Sequence, residues 1–283
     1  MLRIWLLTTV AMLAFAANSV LARLALATGG MDAAGYTGVR LASGALMLAA
    51  ILFLRRRRPV SALGGSWPGA AALFGYAIAF SVAYLMLGAG TGALILFASV
   101  QFGMLAWAVL NGDRPGAFEW LGIAVAFASL VYLVSPGLVA PHPAGAALMI
   151  ASGLCWAAYT LIGRGSRSPL DDTAGNFIRC LPPALALALA GAWLHAPSAA
   201  GVALAIASGA LASGLGYAVW YAVLPGLTRT RASIVQLTVP AIAAAGGVLF
   251  LSEPLTFRLL LASAGILGGV ALALTTAERR KTA

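Results

Sequence analysis

The 283-residue chain is 62% hydrophobic and 8% charged, with a mean hydropathy of +0.98 and a formal net charge of +10. Soluble domains carry about 25% charged and about 45–50% apolar residues, and disordered chains are polar and charge-rich. Both classes are excluded, and the chain is expected in a bilayer.

A hydrocarbon core of about 30 Å needs roughly 20 apolar residues per crossing helix. Ten segments meet that length: Ile4–Ala27, Ala34–Leu54, Ala70–Leu87, Thr91–Leu110, Ala117–Val134, Ala144–Ile162, Thr173–Leu194, Ala199–Leu224, Thr230–Leu251 and Leu255–Thr276. Barrel strands are half as long and alternate in polarity, so an all-α polytopic membrane protein is expected. Numbering the connections alternately places Arg3, Arg55, Arg56, Arg57, Arg58, Arg114, Arg164, Arg167, Arg229, Arg231, Arg279, Arg280 and Lys281 on one side. Basic loops stay cytoplasmic, so both termini are expected inside. The charge then reports topology rather than a nucleic-acid partner; the Arg55–Arg58 run is a stop-transfer anchor or a contact for anionic lipid.

The chain repeats itself. Phe15–Arg23 matches Trp156–Arg164 at an offset of 141, Gly75–Ile78 matches Gly216–Val219 at the same offset, and Val39–Leu41 matches Ile178–Cys180 at 139. Gly112–Pro115 stands opposite Ser252–Pro254. The first helix, which begins like a secretory signal, therefore has an uncleaved counterpart and is expected to be retained. Residues 1–135 form a first five-helix repeat, 144–277 a second, and 278–283 a basic cytoplasmic tail. Five spans per copy invert the second copy, a 5+5 arrangement found mostly in transporters with a midplane site at the repeat interface.

An arginine in each second helix (Arg40, Arg179) and an acidic turn between each fourth and fifth helix (Asp113; Glu253-Pro254) resemble the EamA branch of the drug/metabolite transporter superfamily over essentially the whole chain. The Gly-Tyr pairs and the aromatic third, sixth and eighth helices are most similar to the YddG-type aromatic amino-acid exporters. The resemblance implies an inner-membrane exporter of aromatic and other neutral amino acids and related small metabolites, working by alternating access. Family members often carry a proline in the fourth helix, where this chain has Val100-Gln101; Pro240 in the ninth is kept as a hinge.

Polar and ring side chains inside spans are the binding candidates, because polar groups in lipid are costly and face the bundle interior. Tyr76, Phe80 and Tyr84 share one face of the third helix. Tyr217, Trp220 and Tyr221 cluster on the eighth, Trp156 and Tyr159 on the sixth, Phe97 and Gln101 on the fourth; Asn18 and Gln236 add amides. These side chains either line a substrate cavity or pack between helices. Arg40 and Arg179 either tie helix ends together, with Asp32, Glu253, Asp113, Asp171 or Asp172 as partners, or attract anions and latch gates. Gly265-Ile266-Leu267-Gly268-Gly269 packs within the bundle or across a dimer; a monomer is expected, a dimer allowed. Cys155 and Cys180 read as small apolar packing residues.

All seven acids lie at loops or helix ends, which points to facilitated diffusion rather than proton coupling. The alternative is a carrier of other metabolites or drug-like cations, with or without protons. No mid-span His, Asp, Glu or Ser/His cluster suggests an enzyme, and no cofactor or metal is expected.

Overall fold

Each expected apolar run is helical in the computed structural model, which describes residues 2–28, 30–56, 64–137, 140–227 and 229–282. The helices are α1 (Leu2–Ala27), α2 (Ala33–Arg56), α3 (Trp67–Ala83), α4 (Ala89–Leu110), α5 (Ala117–Val134), α6 (Pro143–Ile162), α7 (Pro169–Arg179), α8 (Leu181–Leu194), α9 (Ala199–Ile206), α10 (Gly216–Val223), α11 (Arg229–Gln236), α12 (Thr238–Leu251) and α13 (Phe257–Thr282). Arg57 and Arg58 of the basic run lie outside the described residues, as do Ala283 and the side chains of Arg56, Arg229, Arg280 and Lys281.

Among the described residues, eight helical runs are long and apolar enough to cross a bilayer, or nine if α7 and α8 form one bent span. With 17 residues α3 is shorter. At 1.5 Å per residue it measures about 25 Å, and its chain continues through the turn at Tyr84–Leu87.

Three of the expected spans are interrupted, the ninth beside the expected hinge Pro240. The seventh starts earlier than expected, at Pro169, and bends by 47° where α7 meets α8. Pro182 and Pro183 cannot donate to the carbonyls one turn back, which frees Ile178 and Arg179 from the helical ladder. The eighth contains a π-helical stretch, Ala207–Leu215, between α9 and α10. The ninth breaks at Leu237, between α11 and α12, three residues before Pro240, whose ring leaves the Gln236 carbonyl without its helical donor.

Side-chain caps fix several helix starts. Asp32 accepts from the Ala34 and Gly35 amides at 2.8 and 3.0 Å to open α2, Ser66 from Gly69 at 3.1 Å to open α3, and Ser198 from Gly201 at 3.0 Å to open α9. Ser252, with φ 53°, reverses the chain after α12 and directs Glu253 back towards the bundle.

α5 packs on α13, α3 on α6, α2 on α7, α8 and the π stretch, α4 on α6 and α12, and α1 on α10 and α12. Tyr36, Leu48, Phe80, Tyr84 and Ile95 are fully buried at the centre. Leu54, Leu110, Phe127, Leu189, Trp193 and Phe250 face outward, an apolar exterior far larger than a soluble monomer tolerates. Gly265-Ile266-Leu267-Gly268-Gly269 is used inside the bundle: a Cβ on Gly122 would lie 2.5 Å from the Gly269 carbonyl oxygen, so α5 and α13 touch backbone to backbone.

Candidate functional site

The helical period puts Tyr76 and Phe80 on one side of α3, with ring centroids 5.5 Å apart. The Trp156 indole of α6 lies 4.8 Å from Tyr76 and 5.7 Å from Tyr217 of α10, stacking on the latter. The two tyrosines that match in the sequence repeat thus meet at one indole. Tyr159 stacks on Trp156 at 5.0 Å, and Tyr221 on Tyr217 at 6.3 Å. Phe15 of α1 and Phe177 of α7 reach Tyr217 at 5.5 and 6.1 Å.

Arg40 of α2 enters this row of rings. Its guanidinium carbon is 4.7 Å from the Phe80 centroid and 5.3 Å from that of Tyr76, and Nη2 donates to the Tyr76 hydroxyl at 2.9 Å. Arg40 is 2% exposed and makes no ion pair among the described residues. Burying an ion costs several kcal/mol; two ring faces and one phenol, worth about 2 kcal/mol each, offset part of that.

Arg179, at the matching position of the other half, is held differently. Asp172, Asn176 and Arg179 form one stripe of α7 that grips the loop before α3. The Gly65 amide donates to Asp172 Oδ1 at 2.7 Å, the Ser66 amide to Asn176 Oδ1 at 2.8 Å, and Arg179 Nη1 to the Gly64 carbonyl at 2.8 Å. Arg179 ties helix to loop through a backbone carbonyl, not through the acids expected from sequence.

The π stretch explains the fate of Asn18. Ser208 and Ser213 both donate to Asn18 Oδ1, at 2.8 and 3.2 Å. Five residues span one π turn, so both hydroxyls face the same amide; in an α-helix they would diverge. Asn18 is therefore bound to the eighth span rather than turned towards the rings.

Polar contacts stand at both ends of the ring row. At one end, Arg23 Nε lies 3.3 Å from Glu253 Oε1 and Arg23 Nη1 donates to the Tyr84 carbonyl at 2.9 Å. The Ala89 amide donates to Glu253 at 2.8 Å. Glu253, expected as a partner for Arg40, belongs to Arg23 instead. At the other end, the Tyr159 hydroxyl donates to Thr173 Oγ1 at 3.1 Å, and Tyr221 OH is 3.1 Å from the same oxygen. Outside that bridge a cleft of about 190 Å³ is lined by Leu52, Arg55, Ser168, Leu170, Asp171 and Tyr221, among others.

The remaining candidates lie elsewhere. Trp220 packs with Phe15, Met12 and Val239 in a second apolar cluster. Tyr84 sits edge-on to Phe80 at 4.6 Å and contributes its carbonyl to the Arg23 closure. Phe97 bridges the two apolar clusters. Gln101 and Gln236 are half-buried, and Asp113 is exposed on the turn after α4. Pro240 is buried just past the α11–α12 break. Cys180 donates to the Ala70 carbonyl at 3.3 Å. Among the described residues no three metal-ligating side chains converge. Sequence reasoning missed Tyr36, wholly buried one turn before Arg40, and also Thr173, Ser208 and Ser213. Small hydroxyls in apolar runs carry no periodic signal, and only the π turn brings two of them together.

Residues 143–275 match the EamA-like transporter family. The chain is 54% identical to an uncharacterized protein of Pseudomonas aeruginosa over 96% of its length and 94% of that protein's. It is 32% identical to the threonine/homoserine exporter RhtA of Escherichia coli K12, over 84% of this chain and 80% of RhtA. The uncharacterized inner membrane transporter YedA of the same strain is 28% identical over 49% of this chain and 46% of its own. A solved crystal structure has the same fold, with a TM-score of 0.64 at 22% identity, covering 96% of this chain and 99% of that one. An all-helical bundle with an apolar exterior and a buried polar-aromatic centre is the build of a multi-pass membrane transporter. The chain belongs to the EamA-like transporter family.

Proposed function

We propose that this chain is an inner-membrane exporter of aromatic and other neutral amino acids that works by alternating access. The observation that carries the reading is the row Tyr76–Trp156–Tyr217, drawn from α3, α6 and α10, closed at one end by Arg23–Glu253 and at the other by Tyr159–Thr173–Tyr221. Rings offer area to an apolar side chain and faces to an ammonium group. The likeness to a threonine/homoserine exporter over 84% of this chain supports a neutral amino acid as cargo.

Counting α3 and the bent, π-containing and broken runs as one span each gives ten, in two inverted halves. The packing supports this, because exchanging the halves maps α3 on α6 onto α10 on α1, and α4 on α6 onto α12 on α1. The pairs α5–α13 and α2–α8 map onto the same spans. Arg55, Arg114, Arg164 and Arg167 share the end to which α1 brings the N-terminus, so that end, with the Tyr221 cleft, faces the cytoplasm. Export then loads from the cleft by parting the Tyr159–Thr173–Tyr221 bridge and releases by parting Arg23 from Glu253.

Among the described side chains the acids lie at helix starts or in turns and none sits in the middle of a span, which supports facilitated diffusion. A lipophilic cation is a poor cargo beside a buried guanidinium. The test is counterflow of labelled threonine and phenylalanine in proteoliposomes, with and without a pH gradient. Saturable exchange in the absence of a gradient is expected; exchange of neither amino acid overturns the reading, and an obligatory gradient overturns the uncoupled mechanism.

A further inference from the structure

Arg40 and Arg179 occupy matching positions, yet the fold meets Nη1 with an acceptor in Arg179 and leaves it without one, among the described residues, in Arg40. Arg179 Nη1 is engaged by the Gly64 carbonyl. Arg40 Nη1 is buried without an acceptor among the described residues. The groups that bear on Arg40 electrostatically are the phenols of Tyr76, Tyr36 and Tyr217, none of them a carboxylate. The Tyr36 hydroxyl, buried beside it, makes no hydrogen bond of regular geometry among the described residues, although the Ser208 side chain lies close enough to be a hydrogen-bond neighbour.

A permanently charged group sealed in the apolar centre of a membrane protein, with an open donor and no counter-ion, is costly to keep. Its chemistry is that of a carboxylate receptor: a planar fork with one arm held by Tyr76 and the other unengaged. We propose that Arg40 binds the carboxylate of the transported solute through Nη1, with the Tyr36 hydroxyl as a second donor to the same group. The assignment rests on the carrier reading above and deepens it, since it makes a free carboxylate the required feature of the cargo. Bound there, the carboxylate supplies the missing counter-ion, while the Tyr76, Trp156 and Tyr217 rings are left to take the ammonium group and side chain. Tyr76 is then a positioning residue, because its hydroxyl sets the plane of the guanidinium.

The experiment compares threonine with threoninamide, which keeps the ammonium group and side chain but replaces the carboxylate. Binding to the purified full chain is followed by tryptophan fluorescence, for which Trp156 is a reporter 4.8 Å from Tyr76, and counterflow is measured on the same preparation. The wild-type chain is expected to prefer threonine by about tenfold or more. Arg40→Gln should abolish the preference while leaving amide binding in place, and Arg40→Lys should restore part of it. Arg179→Gln should leave it intact. Equal binding of acid and amide by the wild-type chain, or a preference that survives in Arg40→Gln, overturns the anchor. The wild-type comparison decides even if Arg40→Gln fails to fold. Counterflow without the preference sinks the anchor and spares the carrier reading. The preference without counterflow does the reverse, and binding of neither ligand overturns both.

Discussion

Arg23 reaches Glu253 across the bundle, 230 residues away in sequence, and joins α1 to the turn after α12. The two side chains are 24% and 19% exposed, so solvent screening limits the pair to the 0.2–1 kcal/mol range roughly typical of partly exposed ion pairs. On the proposed alternating-access reading, such a pair is a latch weak enough to open in every transport cycle. Glu253→Gln keeps an acceptor for the Ala89 amide and removes the charge. It should leave thermal stability nearly unchanged and shift the open–closed balance of this end by about fivefold at most. Faster hydrogen exchange in peptides covering 84–92 would register the shift; exchange identical to wild type would remove the pair from the closure.

The Trp156 ring joins Tyr76 of α3 to Tyr217 of α10, so on the proposed function its substitution is expected to affect packing and cargo together. Trp156→Ala would also cost about 3–5 kcal/mol of core stability and confound the result. Trp156→Phe keeps a ring between Tyr76 and Tyr217 but gives up indole area. It should fold and reduce threonine and phenylalanine counterflow several-fold. Tyr76→Phe removes only the hydroxyl that Arg40 Nη2 donates to, and a comparable reduction is expected. Wild-type flux in both variants would place the substrate elsewhere.

The helices and the aromatic centre were legible because both follow from local rules. Apolar runs of membrane length fold as helices, and the spacing of Tyr76 and Phe80 puts them on one face whatever surrounds them. The offset between Tyr76 and Tyr217 already marked the two residues that meet at Trp156. What sequence could not show depends on partners distant along the chain. The sequence offers Glu253 as a counter-charge for an arginine, and only the αL turn at Ser252 decides that the arginine is Arg23. Asn18 and Tyr159 match in the repeat yet have opposite fates, since the π turn captures Asn18 and the start of α7 captures Tyr159 through Thr173. Arg40 and Arg179 diverge for the same reason: a loop carbonyl reaches Arg179, and among the described residues none reaches Arg40 Nη1.

Asn18 offers a test of the π stretch itself. Asn18→Ala leaves the Ser208 and Ser213 hydroxyls without their shared acceptor in a buried site. The expected loss is about 1–2 kcal/mol, from two bonds at the strength roughly typical inside membrane proteins. Ser208→Ala keeps the Ser213 bond and should cost less. Thermal unfolding in detergent, followed by tryptophan fluorescence, orders the two; Ser208→Ala proving the more harmful would contradict the shared-acceptor geometry.

Gly269 tests whether the Gly265–Gly269 stretch serves the bundle or a dimer. A side chain there would collide with the Gly122 carbonyl and the Ala126 backbone nitrogen, and neither can rotate away. Gly269→Leu should force α5 and α13 apart at a cost of about 1–3 kcal/mol or more. The loss should be independent of protein concentration, because the contact is intramolecular. A loss of stability that tracks dilution into detergent would assign these glycines to an interface between chains.

The Tyr159–Thr173–Tyr221 bridge makes the opposite prediction from most substitutions at a functional site, namely a gain. Tyr221→Phe keeps the stack on Tyr217 and removes one hydroxyl from the bridge. If the bridge closes the cleft bordered by Arg55 and Asp171, removing one hydrogen bond of about 0.5–1.5 kcal/mol favours the open form at that end by about two- to tenfold. Counterflow limited by that opening should accelerate, while discrimination between threonine and threoninamide stays unchanged, since Arg40 lies beyond the bridge. Thr173→Val removes the bridging oxygen and should have the larger effect. Slower flux in both variants would mean that the hydroxyls hold the substrate rather than the door, and the ends of the ring row would have to be reassigned.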